Sequence, residues 1–410
     1  MSTKKIGFTA LTAVIIGNIM GSGVLILPRT IGKFGVISLW SYAIAAVGFL
    51  SIGLLYAKMQ VWLKCEGVHG PILSVFGRRS GQIASFLYWL SVVLGNSALF
   101  TSLFSYTGFD KMSLFTCFVF TSIILFFATL FNCVELRIVK LVEIFVAAVK
   151  LFPLMGLPLF CAYYAWNSDI DIYKIYETTT LAQGVKHTLS HTLWAFLGIE
   201  TAIAMGSKIH NPEKTISRSM VSAMSVIAFT YILGMWTIIK LIPNPSGSSA
   251  PYTELLIFAM PDAIKSFASP LIYGLYIFLI LGSVYSWVFT TGIIASESAE
   301  QGLFPKFFAS KNRFGAPANA LIVSSIVSLI FLISTYNEDL SAHFDVMLDF
   351  LTLITFVVHL ATNIAFFKII KSRLTFGNIF IGSLSMITNV FTIYIICFPI
   401  LGKLFSNLFN

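Results

Sequence analysis

The stretch Asn18-Ile19-Met20-Gly21-Ser22-Gly23 interrupts an apolar run from Phe8 to Pro28 that is otherwise long enough to cross a bilayer as one helix. Two glycines around a serine lower the helix propensity and leave backbone N–H and C=O groups without covering side chains. Because each unpaired backbone group in hydrocarbon costs several kcal/mol, such a break is tolerated only where it lines a protein cavity or holds a ligand. The first apolar run therefore predicts part of a binding site.

A second break is expected at Gly198, which lies between Trp194-Ala195-Phe196-Leu197 and Ile199-Glu200-Thr201 in another apolar run. Two broken spans in corresponding halves of a membrane protein indicate a substrate site near the bilayer midplane. The alternative reading is that Gly21 and Gly23 are close-packing contacts between helices. The second break and the nearby acidic residue favour the binding site over that alternative.

A helix that stops inside the membrane leaves free N–H groups on one half and free C=O groups on the other, with opposite partial charges. This arrangement suits a zwitterion. We expect N–H donors around Ser22 and Gly23 to bind a carboxylate. The carbonyls expected to bind an ammonium group are those near Ile19, Trp194 and Leu197.

Composition predicts an all-α membrane protein with many spans, because 57% of the 410 residues are hydrophobic, only 10% are charged and 39 are Phe. A span needs about 20 apolar residues. Eleven segments meet that need: 7–28, 35–58, 82–107, 112–133, 139–166, 186–207, 217–241, 267–297, 317–336, 344–369 and 377–402. We therefore expect about 11 transmembrane helices in a lipid bilayer.

The net charge of +9 is explained by topology, not by nucleic acid. With the N-terminus in the cytoplasm, most of the Lys and Arg residues fall on the cytoplasmic side, which is the positive-inside pattern. They include Lys4, Lys5, Lys58, Lys64, Arg78, Arg79, Lys214, Arg218, Lys306, Lys311, Arg313, Lys371 and Arg373. The sequence thus predicts a multi-pass protein of the inner or plasma membrane with no nucleic-acid partner.

No cofactor and no metal are expected. The five cysteines are scattered through the spans without a C-x-x-C pair, and they are interpreted as small core residues. His187 and His191 have metal-ligand spacing but lack a third ligand. No Walker-type phosphate loop or nucleophile elbow occurs, so transport driven by gradients is expected, not an enzyme.

Four motifs resemble the amino acid–polyamine–organocation (APC) superfamily. They are residues 18–24, Tyr88-Trp89-Leu90 with Gly95-Asn96, residues 194–200, and Gly302-Leu303-Phe304-Pro305. Within it the chain is most similar to the bacterial basic amino acid/polyamine antiporter family, to which arginine/agmatine antiporters belong. The resemblance implies a LeuT-type fold, an inverted five-plus-five helix repeat. The transporter core would be residues 1–376, and 377–410 would add one further span.

The resemblance also assigns site residues. Ser22 and Gly23 would bind the substrate carboxylate, and the carbonyls of Ile19, Trp194 and Leu197 would bind its α-amine. The remaining assignments are Trp194 as a lid, Trp287 as a wall of the side-chain pocket, Asn96 at the substrate's distal end, and Tyr88 with Glu200 in the gate. Interfacial anchoring or packing is the alternative for both tryptophans.

Two departures from the family pattern limit the resemblance. One span fewer than the usual twelve leaves a possible homodimer open. The pocket is also more apolar, with Val92, Leu99 and Leu351 where small or polar groups are usual and His359 in place of a gate tyrosine. Arginine is therefore not assigned as the substrate, and His359 is either a pH-responsive gate or a hydrogen-bonded core histidine.

Lys150 is an ionisable residue well inside the fifth span, where a charge must face a cavity or find a partner. In some proton-driven superfamily members a fifth-span lysine occupies the place of a sodium ion. By resemblance, the Lys150 ammonium would tie span 5 to the broken span 1 and exchange protons. The alternative is a permanent structural tie, and Glu200 has the same two interpretations.

These observations predict a secondary active amino acid transporter that exchanges amino acids, or an amino acid and its amine, by alternating access. The expected partners are an amino acid or polyamine substrate and possible coupling protons. One alternative is a proton-coupled symporter of neutral amino acids, which Lys150 and the apolar pocket favour. A membrane sensor without transport is the distant alternative.

Overall fold

A computed structural model of the protein describes residues 7–107, 113–134, 136–170, 180–199, 203, 209, 211–248, 250–258, 260–335 and 340–408. The described chain is helical almost throughout. Its first seven helices are α1 (Phe8–Ile19), α2 (Ser22–Ile31), α3 (Val36–Leu63), α4 (Gly70–Phe76), α5 (Arg78–Thr107), α6 (Leu114–Asn132) and α7 (Leu136–Trp166). The second seven are α8 (Leu181–Ala195), α9 (Pro212–Leu241), α10 (Pro251–Phe258), α11 (Asp262–Glu300), α12 (Ala318–Thr335), α13 (Leu340–Ile369) and α14 (Phe376–Leu408).

Helical segments occupy all eleven predicted intervals. Within the described residues, eight helices are long and apolar enough to cross a membrane. The pair formed by α1 and α2 adds a ninth span that bends by 43° at its break. The shorter apolar helix α12 lies in the predicted ninth interval, and α8 begins the predicted sixth interval. The prediction of an all-α protein with many spans is confirmed.

The helix packing has the pairwise relation of an inverted repeat. Spans 1–5 are the α1/α2 pair, α3, α5, α6 and α7, whereas spans 6–10 are α8, α9, α11, α12 and α13. In an inverted repeat, span 1 corresponds to span 6 and span 2 to span 7. The contact between α1 and α9 then has its counterpart in the contact between α8 and α3, and both contacts are present. The same correspondence relates α1–α7 to α8–α13 and α5–α13 to α11–α7. A short helix also follows the second span of each set, α4 in the first and α10 in the second.

The last span, α14, packs mainly on α13 and α3 and thus lies beside the repeats. Its outward side chains remain available to lipid, as Ile387 at 65% and Phe380 at 57% exposure illustrate. The largest cluster of buried apolar side chains surrounds the two breaks. Phe49, Phe196 and Phe356 meet there in ring contacts of 5.6 to 6.3 Å between centroids, joining α3, the second break and α13.

Candidate functional site

The first break separates α1 from α2 at Met20 and Gly21. Helix α1 ends when the Met20 N–H donates to the Ile16 carbonyl, and the Gly21 N–H donates to the Ile19 carbonyl at 2.8 Å. Helix α2 then begins at Ser22 without a side-chain cap on its first N–H groups. The break therefore presents a helix C-terminus and a helix N-terminus to the same space, which gives it opposite partial charges on its two sides.

The second break follows the end of α8 at Ala195. The Phe196 N–H donates to the carbonyls of Leu193 and Trp194, and residues 196–199 form turns instead of a helix. Gly198 has a φ of +120°, a value that L side chains rarely adopt, so glycine is required there. The break predicted at Gly198 is thus present in the backbone.

The two breaks touch each other. A Cβ atom at position 198 would lie 3.2 Å from the carbonyl carbon of Asn18 and 3.3 Å from its oxygen. Tyr231 on α9 contacts both breaks. Its hydroxyl lies 3.0 Å from the Ile19 carbonyl oxygen and 3.3 Å from that of Ala195. Since a hydroxyl carries one proton, it donates to these two acceptors in a shared hydrogen bond.

A small cavity of about 20 Å³ lies at this junction. Its lining combines both breaks with one face of α5 and α11: Ile19, Gly21, Gly23, Gly95, Leu99, Trp194, Ala195, Leu197 and Trp287. Such a volume holds about one water molecule and no amino acid. The site is therefore closed in this conformation, and a substrate needs the surrounding side chains to move.

Two tryptophans close the cavity against glycines. A Cβ atom at position 23 would lie 2.8 Å from Cζ3 of Trp194, and one at position 95 would lie 3.3 Å from Cζ3 of Trp287. Trp194 is only 5% exposed. Indole rings thus rest directly on backbone at both places, because glycine leaves room for them.

Several predicted binding residues therefore meet at one place. Ile19, Gly23, Trp194, Leu197 and Trp287 all line the cavity, and their binding roles remain predictions. Ser22 is described only through its backbone, which starts α2. Leu99, predicted to make the pocket apolar, also lines the cavity, whereas Val92 and Leu351 are buried but are not in its lining.

Asn96 does not line the cavity in this conformation. Its amide Nδ2 donates to the hydroxyl of Thr291 at 3.0 Å and lies 3.5 Å from the hydroxyl of Ser328. Both partners belong to neighbouring helices, α11 and α12, so Asn96 joins three helices behind the cavity. Contact with the distal end of a substrate would require α5 or α11 to shift, and that role remains a prediction.

Lys150 is 2% exposed and bridges two helices. Its ammonium lies 3.4 Å from the Gly17 carbonyl oxygen on α1, as expected for a tie between spans 5 and 1. Gly282 on α11 is also adjacent, since a Cβ atom there would lie 3.6 Å from Cε of Lys150. The Lys150 ammonium therefore lies close to the first break, and its coupling role remains a prediction.

The other predicted gating residues lie apart from the cavity lining. His359 is buried at 1% exposure, and its Nδ1 lies 3.1 Å from the Tyr56 hydroxyl, which also contacts Thr362. Tyr88 is buried in the core cluster. Glu200 falls outside the described residues.

His187 and His191 stack at 4.5 Å between ring centroids. Among the described residues, no group of three His, Cys, Asp or Glu side chains is placed to hold a metal ion. The ring of His187 also packs against the ring of Phe34, with 5.3 Å between their centroids, so the stacked pair is part of an aromatic cluster.

The sequence did not indicate two residues that the structure places at the site. Tyr231 sits in an apolar span with no motif around it, and nothing in its neighbourhood signals that it reaches both breaks. Gly95 belongs to the Gly95-Asn96 motif of the family resemblance. Its role as the surface beneath Trp287, however, depends on how α5 and α11 pack.

The family profile described as amino acid permease matches residues 6–408. The putrescine transporter PotE of Haemophilus influenzae is 27% identical over 385 residues, which cover 91% of this chain and 87% of that protein. The Escherichia coli PotE is 26% identical, with 90% and 84% covered. The cadaverine/lysine antiporter of Escherichia coli is 26% identical over 359 residues, with 82% and 77% covered.

Two solved structures share the fold at low sequence identity. A Na⁺-coupled sialic acid symporter superposes with a TM-score of 0.60 at 13% identity, over 95% of this chain and 89% of that one. Mhp1, a nucleobase-cation-symport-1 family transporter, gives a TM-score of 0.60 at 12% identity, over 99% and 94%. These matches confirm the predicted inverted-repeat transporter fold. Because the family profile spans nearly the whole chain, the protein belongs to the amino acid permease family and is a membrane transporter, not an enzyme.

Proposed function

We propose that this protein exchanges an amino acid for a second amino acid or for the corresponding amine across the membrane. The observation that carries the proposal is the meeting of two broken helices around one cavity, with a helix N-terminus at Gly23 and carbonyls at Ile19 and Leu197. A carboxylate and an ammonium group of one small molecule match those two ends.

The relatives support exchange of such a pair. One is named for cadaverine and lysine, an amine and the amino acid from which decarboxylation produces it. Two others are named for putrescine, a diamine of similar shape. In this chain Leu99 and Trp287 form the side-chain end of the cavity. These apolar walls favour a substrate with an aliphatic segment there, and they offer no acidic side chain to pair with a second ammonium group.

In the proposed cycle, the roles expected from the resemblance apply to the residues at the cavity. Backbone N–H groups at the start of α2 hold the carboxylate, the carbonyls of the breaks hold the α-amine, and Trp194 covers the substrate. Because the cavity is too small for an amino acid at its present volume, substrate binding requires a change of conformation, as alternating access provides. The N-terminus lies in the cytoplasm, as the positive-inside pattern indicates.

A second candidate function is proton-coupled symport, which the placement of Lys150 favours. Its ammonium lies between α1 and α11, two of the helices that border the cavity. Loss of a proton there would weaken the hydrogen bond to the Gly17 carbonyl, because the charge assistance is lost, and so loosen the first break. Exchange and symport differ in whether substrate is needed on the far side.

The test is uptake into proteoliposomes that contain the full chain. Radiolabelled amino acids and diamines are offered outside, with the same compounds, a different one, or buffer inside. Exchange predicts uptake only with substrate inside, whereas gradient-driven uptake into buffer-filled vesicles would replace exchange by symport. No uptake of any amino acid or diamine under all conditions would refute both.

A further inference from the structure

A second cavity, far larger than the one at the breaks, lies between the end of α3 and the start of α9. Its volume is about 340 Å³. The lining consists of Ala57, Lys58, Val61, Trp62, Lys214, Ser217 and Arg218, and we call it the basic cleft. These seven residues include three cations and no carboxylate.

The three cations of the basic cleft are not neutralised by any described residue. Lys58 is half-buried, while Lys214 and Arg218 are exposed, and none of the three forms an ion pair with a described residue. Like charges that share one cleft repel each other, and an anion between them would relieve that repulsion. Three uncompensated cations around a space of this size therefore indicate an anion-binding site.

The wall of the basic cleft indicates which kind of anion fits. Ala57, Val61 and the ring of Trp62 form an apolar side, and Arg373 stacks on the outer face of Trp62 with its guanidinium 4.9 Å from the ring centre. Tryptophan with flanking cations is the usual arrangement where a span reaches the lipid headgroups. A ligand with a charged phosphate and an apolar body satisfies both sides of the cleft.

The position along the spans leads to the same ligand. Lys58 lies in the last two turns of α3, and Lys214 lies in the first turn of α9. The basic cleft between these two adjacent spans thus lies at one membrane surface, on the side that the positive-inside pattern places in the cytoplasm. Basic pockets between spans on that side are suited to anionic headgroups.

We propose that the basic cleft binds the headgroup of an anionic phospholipid of the cytoplasmic leaflet. The phosphate lies among Lys58, Lys214 and Arg218, and the glycerol and upper acyl carbons lie against Val61 and Trp62. Because α9 also carries Tyr231, which holds both breaks, an occupied cleft fixes the helix that positions the candidate transport site.

The test compares lipid binding by the delipidated full chain in a neutral detergent. Short-chain phosphatidylglycerol, phosphatidylcholine with the same acyl chains, and inorganic phosphate are titrated separately, and the rise in unfolding temperature is measured. The variant combines Lys58→Gln, Lys214→Gln and Arg218→Gln. The matched control combines Lys64→Gln, Arg79→Gln and Lys306→Gln, three exposed cations with the same change of net charge.

We expect the wild type and the control to prefer phosphatidylglycerol over phosphatidylcholine, and the cleft variant to lose most of that preference. Each cation contributes roughly a fivefold preference, so the loss approaches about a hundredfold at low ionic strength and shrinks with added salt. Equal loss in the control variant would overturn the assignment of the cleft. Equal stabilisation by phosphate alone would replace the lipid by a free anion.

If the triple variant does not fold, Arg218→Gln alone provides the comparison, because Arg218 is exposed and forms no ion pair with a described residue. A single substitution is expected to weaken phosphatidylglycerol binding by roughly fivefold. Unchanged binding in that variant would count against the cleft as the headgroup site.

Discussion

The two helix breaks look alike in sequence but depend on glycine for different reasons. In the first break, Gly21 has φ of −112° and ψ of −155°, extended values that any residue adopts. In the second, Gly198 has a φ of +120°, which only glycine adopts without strain. The second break is therefore fixed by its own backbone, whereas the first is fixed by what packs against it.

The partners of the first break come from both halves of the protein. Trp194, which precedes the second break, fills the place where a side chain at position 23 would be. Lys150 and Tyr231 hold the carbonyls of Gly17 and Ile19. The conformation of the first break thus depends on its contacts with spans 5, 6 and 7.

The largest effect is expected from Gly23→Leu. Its Cβ atom would lie 2.8 Å from the Trp194 ring, and the longer side chain would fill the cavity and cover the N–H groups of α2. Overpacking of this kind costs about 1–3 kcal/mol before the loss of the carboxylate site is added. We expect calorimetric substrate binding to be abolished while membrane insertion is kept.

Gly274→Leu is the control for that substitution, because Gly274 is exposed and a Cβ atom there has nothing within 4 Å. It should insert and bind normally. Near-normal affinity in Gly23→Leu would show that the start of α2 is not the carboxylate site.

Replacing the two cavity tryptophans by Leu tests the walls that α8 and α11 supply. Trp194→Leu and Trp287→Leu each remove a ring that rests on backbone, and a cationic substrate also loses about 1–2 kcal/mol of cation–π attraction. Exchange rates should fall roughly 5- to 30-fold. Trp40→Leu, at 66% exposure, should leave exchange unchanged. Wild-type rates in both cavity variants would contradict the pocket assignment.

Lys150→Ala tests the tie between span 5 and the first break. Initial uptake is measured with internal pH fixed and external pH stepped from about 7.5 to 5.5, a range in which ordinary carboxylates stay mostly ionised. If the ammonium releases its proton during the cycle, wild-type uptake rises as external pH falls, and Lys150→Ala removes that response. A permanent tie predicts weaker binding or folding in the variant and no response in the wild type.

Lys240→Ala is a matched control, because Lys240 also donates to two carbonyl oxygens, those of Ser168 at 2.9 Å and Ile170 at 2.7 Å. These bonds lie at the end of α9, away from the breaks. The control should keep the pH response of the wild type. If Lys240→Ala also loses the pH response, the loss in Lys150→Ala reflects general destabilisation and not the tie to the first break.

Gly198→Ala against Gly21→Ala separates the two kinds of break directly. Alanine at 198 combines a positive φ with a contact 3.2 Å from the Asn18 backbone, and about 1–3 kcal/mol of stability should be lost. Alanine at 21 would lie 3.5 Å from the Ser283 hydroxyl and no closer to its other neighbours, which are ordinary contacts, so little change is expected. The measurement is the unfolding temperature in detergent. Equal losses would remove the distinction between the breaks.

The sequence predicted the spans and both breaks because hydropathy and glycine act locally. It did not predict which neighbours Asn96 would meet, nor the role of Tyr231. Lipid and protein interior are equally apolar, so hydrophobic periodicity does not tell which face of a span points inward. Helix rotation, and with it the contacts of Thr291 and Ser328 to Asn96, therefore appears only in the structure.

The smallest effect is expected from Tyr231→Phe, which acts on both breaks at once. Removing the hydroxyl leaves the Ile19 and Ala195 carbonyls without this donor, at a net cost of about 0.5–1.5 kcal/mol. Tyr252→Phe is the control, since the Tyr252 hydroxyl is buried without a hydrogen bond to the described residues and its removal should cost nothing. The Ile19 carbonyl already accepts from both the Gly21 N–H and the Tyr231 hydroxyl, so the variant frees one lone pair for the proposed contact with a substrate amine. Unfolding temperature should therefore fall in Tyr231→Phe while substrate affinity changes little, and a large loss of affinity with unchanged stability would make Tyr231 a substrate contact instead of a brace.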